Sequence, residues 1–272
     1  MSNASIAPLG DGFRIATFNV NSLKARLPIV ERFLTSHAAP DVVCFQETKC
    51  QDAGFPAEFF AEIGYSAVFR GMKSYNGVAV VSKAAPDEVS FGFGDGEDRE
   101  QDFARLAVAR FGALNVVCTY VPQGKEMNTP DFEYKLAFFS RLRRLFEKNF
   151  TTDDLLLWTG DINVAPTDID VTHPENKRDH VCFSQEAKDA LTGVLAWGLV
   201  DVFRKHRPDA GEFSFWDYRV PKALERNIGW RIDHLFASGA LASRSRDAYV
   251  ARELRAMERP SDHTAVVGVF DL

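Results

Sequence analysis

Short apolar runs that end on an acid, an amide or a phenol recur along most of the chain, and this pattern constrains its fold more than any other feature. Asn19 and Asn21 close the run Phe13–Asn19, Glu47 follows Val42–Gln46, and Tyr120 with Gln123 ends the stretch 103–120. Asp161 and Asn163 follow 155–159, Asp233 sits within 232–237, and Ser261-Asp262-His263 precedes 264–270. Apolar runs of this length, bounded by turn residues, read as strands. Strand ends that share one edge of a sheet would gather these polar groups into a single pocket.

Further strands are expected at 65–70, 77–82 and 213–216, and Gly112-Ala113 inside 103–120 marks a hairpin. Apolar residues at three- and four-residue spacing predict helices over 27–37, 132–148 and 184–197. Pro28 suits the first turn of its helix, and Thr129-Pro130-Asp131 reads as a stop and N-cap. Hairpins are frequent and strict strand–helix–strand alternation is absent. That favours an α/β (α+β) four-layer sandwich, two mixed β-sheets packed face to face with helices on the outside. The 272 residues, 46% hydrophobic and 26% charged, suffice for one domain spanning 1–272. Its core is expected at about 13–270.

Composition narrows the class of function. No apolar run approaches the roughly 20 residues that span a bilayer. Residues 1–8 have neither a basic nor an apolar signal region, so a cytoplasmic protein of bacterial type, with no membrane contact, is expected. Cys44, Cys50, Cys118 and Cys182 lack the paired spacing of a zinc site and are expected as reduced thiols. The net charge of −6 argues against a binder that takes nucleic acid over its whole surface. The segment 95–102 reads as a solvated acidic loop, whereas 204–207, 219–231 and 244–259 are locally basic. A polyanion bound on one positive face stays open.

The segment Trp158-Thr159-Gly160-Asp161-Ile162-Asn163 carries the most chemistry. Two-residue periodicity sends Asp161 and Asn163 to the same side of a strand. A carboxylate beside a carboxamide at a strand end suits hard-metal, water-activating or phosphate chemistry. Gly, Asp and Asn also make ordinary turns, so the segment alone decides nothing. Glu47 could be the kind of lone carboxylate that anchors Mg²⁺, which prefers one or two carboxylates plus water and substrate oxygens; taken alone it reads first as a solvent-exposed strand end. Asp262 and His263 pair an acid with an imidazole, and Asp233 is a second acid that would orient the ring. No Gly-x-Ser-x-Gly elbow accompanies them, which disfavours a serine hydrolase. Tyr120 and Gln123 suit phosphate or backbone contact, or a core Tyr beside a loop. Tyr75-Asn76-Gly77 reads first as a turn. Phe213, Phe215, Trp216 and Trp230 suit either a sugar-binding wall or the core.

In order along the chain, six segments resemble the exonuclease III family of AP endonucleases, within the DNase I-like endonuclease/exonuclease/phosphatase superfamily. They are 18–26 (Phe-Asn-Val-Asn-Ser-Leu-Lys-Ala-Arg), 45–49 (Phe-Gln-Glu-Thr-Lys), 120–124 (Tyr-Val-Pro-Gln-Gly), 160–168 (Gly-Asp-Ile-Asn-Val-Ala-Pro-Thr-Asp), 229–233 (Gly-Trp-Arg-Ile-Asp) and 261–263 (Ser-Asp-His). The resemblance implies Mg²⁺-dependent hydrolysis of the phosphodiester 5′ to an abasic site, with Mn²⁺ as a substitute ion. Exonuclease activity from the 3′ end and 3′-phosphatase or phosphodiesterase activity fall within the same implication. Glu47 would be the principal metal ligand, assisted by Asn19 and Asp262, with Asp161, Asn163 and His263 beside the ion. Asp161 would orient or deprotonate water, and Asn163 and Tyr120 would contact the phosphate. His263 would also contact it, with Asp233 as its carboxylate partner. Asn21, Lys24, Asn76, Arg105 and Gln123 would contact DNA, and Phe215, Trp230 and Ile232 would accept a base-free sugar.

The partner implied is double-stranded DNA with abasic sites or damaged 3′ ends, met by a monomer. Ser22 and Lys24 depart from the Gly and Arg the family often has, and the loop between Trp216 and Asn227 carries no transferable wedge residue. A phosphatase or phosphodiesterase on a non-nucleic-acid phosphoester would share the framework, and a catalytically silent DNA-binding module is the reading of another class. The absence of His-x-x-x-His or Cys-rich spacing disfavours a zinc hydrolase.

Overall fold

The computed structural model describes residues 12–272, and the amino-terminal stretch read above for a targeting signal lies outside the described residues. The described strands are β1 (Phe13–Asn19), β2 (Val42–Gln46), β3 (Ser66–Arg70), β4 (Val78–Ser82), β5 (Glu88–Phe91), β6 (Leu106–Phe111), β7 (Leu114–Tyr120), β8 (Leu155–Asp161), β9 (Leu199–Asp201), β10 (Asp233–Ser238), β11 (Ser245–Val250) and β12 (Val266–Phe270). The α-helices are α1 (Leu23–Leu34), α2 (Ala57–Glu62), α3 (Glu100–Phe103), α4 (Pro130–Asn149), α5 (Gln185–Leu195), α6 (Val202–His206), α7 (Gly239–Ala242) and α8 (Arg252–Arg255). No helix among the described residues is long and apolar enough to cross a membrane.

The strands form two six-stranded sheets, ordered β11-β12-β1-β2-β4-β3 and β5-β6-β7-β8-β10-β9. Both are mixed: β1 runs parallel to β2 but antiparallel to β12, and β7 runs parallel to β8, which is antiparallel to β10. Ile15, Val42, Val80, Val116, Leu157 and Leu235 meet between the sheets. On the outside, α4 lays Phe138, Phe139, Leu142 and Phe146 around Trp158, and α1 lays Val30 and Phe33 against Phe18 and Phe45. These are the four expected layers. Strands covered on both faces read as near-continuous apolar runs, as β2 and β4 show, each buried throughout and polar only at its last residue. The four cysteines are buried free thiols.

Several local expectations are corrected. Helix α1 begins at Leu23, so Pro28 lies inside it rather than in its first turn. The backbone N–H groups of Ser22 and Leu23 bond to Glu47 and Thr48, which starts the helix early. Residues 213–216 are not a ladder strand; Phe215 makes only isolated bridges to Trp230 and His263. Thr129 precedes α4 as expected but makes no side-chain cap, its hydroxyl donating to Glu126 O instead. The edge strands β5, β9 and β11 went unrecognised. The acidic segment is exposed at Asp95, Gly96, Glu97, Arg99 and Glu100 as expected, but three of its acids are committed: Asp95, Asp98 and Asp102 all bond to Arg141, and Asp102, buried in α3, also accepts from Tyr134.

A second ion network braces the segment before β10. Asp170 and Arg231 are both buried, with Arg231 Nε donating to Asp170 Oδ1 at 2.7 Å and Nη2 to Asp201 Oδ2 at 2.8 Å. Arg204 adds a bond to Asp170 at 3.0 Å. Arg204 and Arg231, counted above among the basic stretches, are thus partnered inside the protein. Burial alone would raise the Asp170 pKa, but the Arg231 and Arg204 guanidinium groups outweigh it and hold it well below the usual carboxylate range. Removing one member of such a network leaves an unpaired buried charge, so Asp170→Ala should destabilise the fold by about 3–5 kcal/mol in urea titrations at neutral pH. Because the folded pKa lies below the unfolded one, this contribution is complete above about pH 4 and is lost as pH falls further. The gap between variant and wild type should therefore narrow in acid.

Candidate active site

Strand register assembles the site. Tyr120 ends β7 and pairs with Asp161, which ends β8 and in turn pairs with Asp233, the first residue of β10. Paired residues on neighbouring strands point to the same face, so the three side chains stand in a row. Asn19 ends β1 in the facing sheet, and Glu47 follows β2, which pairs with β1. Gly160 permits this ending of β8. Its φ is +144°, and a Cβ there would lie 1.8 Å from Thr119 O.

The groups are tied into one chain of hydrogen bonds. Asn19 Nδ2 donates to Glu47 Oε1 at 2.8 Å and to Asp161 Oδ2 at 2.9 Å, joining the two sheets. Lys49 Nζ lies 2.8 Å from Glu47 Oε2 and donates to Asn21 Oδ1 at 2.6 Å. Asn21 Nδ2 in turn donates to Asp262 Oδ1 at 2.9 Å. On the other side, His263 Nδ1 donates to Asp233 Oδ2 at 2.8 Å, and Nε2 lies 3.8 Å from Asp161 Oδ2. Asn163 Nδ2 donates to Val121 O, and its backbone N–H to Asp161 Oδ1.

Burial sets the electrostatics. It opposes charge on His263, but Asp233 and Asp161 outweigh it and lift the imidazole to about 10, so the ring is cationic near neutrality. Burial raises Asp161 to about 7 despite His263 beside it. For Glu47 burial is outweighed by the bonds from Asn19 and Lys49, which hold its pKa below the ordinary value. Burial, with Glu47 and Asp161 nearby, pushes the Tyr120 phenol well above its usual value, which keeps it a donor.

The backbone around these groups is strained. Asn21, Glu47, Lys49, Asn76 and Asn163 all have φ between 43° and 54°. Such left-handed residues cost of order 1–3 kcal/mol each and persist where surroundings hold them. The strand alternation expected to align Asp161 with Asn163 stops at Asp161. The left-handed turn at Asn163, closed by its N–H bond to Asp161, brings both residues to the same cavity instead.

A cavity of about 580 Å³ opens over this edge, lined by Glu47, Tyr120, Gln123, Asp161, Asn163, Phe215, Trp230, Ile232, Asp262 and His263 among others. Asn19 and Asp233 lie behind it and act through their neighbours. Asn21, Lys24, Asn76 and Arg105 do not line it. Arg105 lies 4.6 Å over the Tyr120 ring and donates to Tyr120 O, while Lys24 shares a separate 390 Å³ recess with Lys49 and Lys73. Lys49, Lys177, His180, Cys182, Tyr218 and Arg219 were missed by sequence reasoning, although all but Lys49 line the main cavity. Lys49 had a signal in its place two residues after Glu47; the others sit in loops without periodicity.

Glu47, Asp161 and His263 each offer a ligand atom, all within 4.8 Å of one another. Two carboxylates at that spacing fit a hard divalent cation. Asp262 lies outside this cluster, held by Asn21, and Asn19 faces the acids with its amide donors.

Fold and site define a hydrolase of phosphoesters. The chain belongs to the Endonuclease/Exonuclease/phosphatase family, whose profile matches residues 16–263. It is 34% identical over 270 residues to exodeoxyribonuclease III of Haemophilus influenzae, covering 94% of this chain and 99% of that one. An AP endonuclease structure from Archaeoglobus fulgidus superposes with a TM-score of 0.92 at 42% identity, covering 96% of this chain and 100% of that one. A 3′–5′ exonuclease of Neisseria meningitidis does so at 0.89 and 34% identity, with the same coverage. A 3′ phosphatase from Neisseria, solved with a product DNA hairpin, matches to the same degree.

Gly160→Ala should displace the end of β8, because Thr119 cannot yield without breaking the ladder. The expected loss is about 1–3 kcal/mol or more, read as a lower midpoint in thermal or denaturant unfolding.

Proposed function

We propose that this protein is a divalent-metal-dependent DNA repair nuclease, a single domain that hydrolyses the phosphodiester 5′ to an abasic site in double-stranded DNA. The same site also processes damaged 3′ ends by exonuclease and 3′-phosphatase cleavage. The observation that carries this reading is the cationic His263, braced by Asp233, facing Asp161 and Glu47 in one cavity. The names of the relatives, exodeoxyribonuclease III, AP endonuclease and 3′ phosphatase, support the substrate class.

Glu47 and Asp161 would hold Mg²⁺, or Mn²⁺ in its place, and the ion would supply charge stabilisation for phosphate oxygens and for the departing 3′-oxygen. His263 is a poor ligand while cationic and serves instead as a donor to a non-bridging phosphate oxygen. Asp161 orients the attacking water and accepts its proton, a role its place in the cavity beside His263 and Asn19 supports. Tyr120 and the second N–H of the Asn163 amide donate to the same phosphate. Phe215, Trp230 and Ile232 form the apolar side that receives a base-free sugar, whose extrusion from the duplex is less costly than that of a paired nucleotide. Lys24, Asn76 and Gln123 meet the DNA backbone, and the protein acts as a monomer.

Asp161→Asn and His263→Ala should each lower turnover on an abasic duplex by about 100-fold or more while leaving duplex affinity largely intact. Near wild-type cleavage by either variant would falsify its assigned role. Excess chelator should abolish cleavage and added Mg²⁺ restore it; activity that survives chelation excludes the metal-dependent reading. A side-by-side digest of abasic, recessed 3′ and 3′-phosphate duplexes tests the function itself, and inertness on all three rejects it.

A further inference from the structure

One fully buried charge takes no part in this chemistry. Lys135 lies in α4 with its side chain out of solvent. Its ammonium donates to three backbone carbonyl oxygens: Val181 at 2.6 Å, Asn163 at 2.8 Å and Gln123 at 3.1 Å. Those oxygens belong to three separate loops, one after β7, one after β8 and one before α5. Each loop supplies the cavity with a lining residue, namely Gln123, Asn163, and Cys182 beside Val181.

An ammonium has three donors and no acceptor, so three carbonyls satisfy it completely. Burying the charge is nevertheless costly, and burial pulls the Lys135 pKa below its ordinary value. An apolar side chain would fill the space without that cost but would leave the buried carbonyls of Asn163 and Val181, and the part-buried one of Gln123, without this donor. Asn163 adds a second reason. Its φ of 54° lies in the left-handed region, which asparagine tolerates better than most residues but which local bonds still have to hold in place. The bond from Lys135 to its carbonyl and the bond from its own N–H to Asp161 are two such restraints.

We propose that Lys135 is a positioning residue, an ammonium tripod that holds Gln123, Asn163 and the Val181–Cys182 turn in one fixed arrangement as the phosphate-binding wall. What that wall binds rests on the nuclease reading proposed above; how it is held does not. Without the tripod the three loops lose their common anchor, and Asn163 drifts from the position where its amide meets the phosphate.

Lys135→Met keeps the length and apolar stem while removing the charge and every donor. Single-turnover cleavage of an abasic duplex should slow by about 30- to 100-fold, while its Kd for that duplex changes by less than about 3-fold. Backbone amides of residues 121–125 and 161–165 should exchange hydrogen faster, with the earlier residues of β8 unaffected. Lys135→Gln, which retains two donors, should fall between variant and wild type in both readouts. Leu142→Ala removes core packing from the same helix; it should lower the melting temperature without changing either readout in the folded protein. A Lys135→Met protein with wild-type rate and unchanged exchange overturns the proposal, as does a Leu142→Ala protein that slows cleavage equally. If wild-type protein cleaves no DNA substrate, the nuclease reading fails, and the exchange comparison still decides the tripod.

Discussion

Two sheets packed face to face bury both sides of their middle strands, and this constraint determines where chemistry can sit. A carboxylate midway along β2 would be enclosed by Val42, Val80 and their neighbours and would lose more hydration than it could regain. The carboxylates of these middle strands, Asp161 and Asp233, stand at strand ends, and the registers that bury the apolar residues also align those ends. β1 finishes on Asn19 where β8 finishes on Asp161, and the amide of one donates to the carboxylate of the other across the gap between the sheets. The site is the edge of the core rather than an addition to it.

This dependence explains what was legible in the sequence. Strands covered on both faces appear as continuous apolar runs, so β2, β4 and β8 stood out, and the polar residue closing each run was a candidate by position alone. Of the edge strands only β3 carries a short apolar run, and it alone was read as a strand. β5 is exposed along most of its length and β9 is only three residues long, so neither left a periodic trace. Glu47, Tyr120, Asp161, Asn163, Asp233 and His263 were legible for the same reason β2 and β8 were. Lys177, His180 and Arg219 were not, because they reach the cavity from loops whose path depends on the finished fold. Lys135 looked like any helical lysine, since the loops that bury it come from elsewhere in the chain.

Electrostatics inside the protein follow a second pattern that composition hides. Arg141 collects Asp95, Asp98 and Asp102, and Arg231 spans Asp170 and Asp201 while its Nη1 meets His234 Nδ1. Burial, with Arg231 alongside, lowers His234 to about 4, so its neutral ring accepts from Arg231 and donates to Val164 O, one residue beyond Asn163. Cations counted as surface charge are thus committed internally, and some of them brace the loop that carries the site. A polyanion would meet a smaller and more local positive field, with Lys24, Lys49 and Lys73 gathered in one recess.

The bond from Asn19 to Asp161 has a wider consequence. Neither sheet holds the constellation by itself: Asn19 and Glu47 belong to one, and Tyr120, Asp161 and Asp233 to the other. A loosened state with every strand formed but the two layers no longer interdigitated would keep its far-ultraviolet spectrum and have no site at all. Function in this architecture gauges the docking of two preformed halves, so it vanishes with side-chain packing rather than with secondary structure.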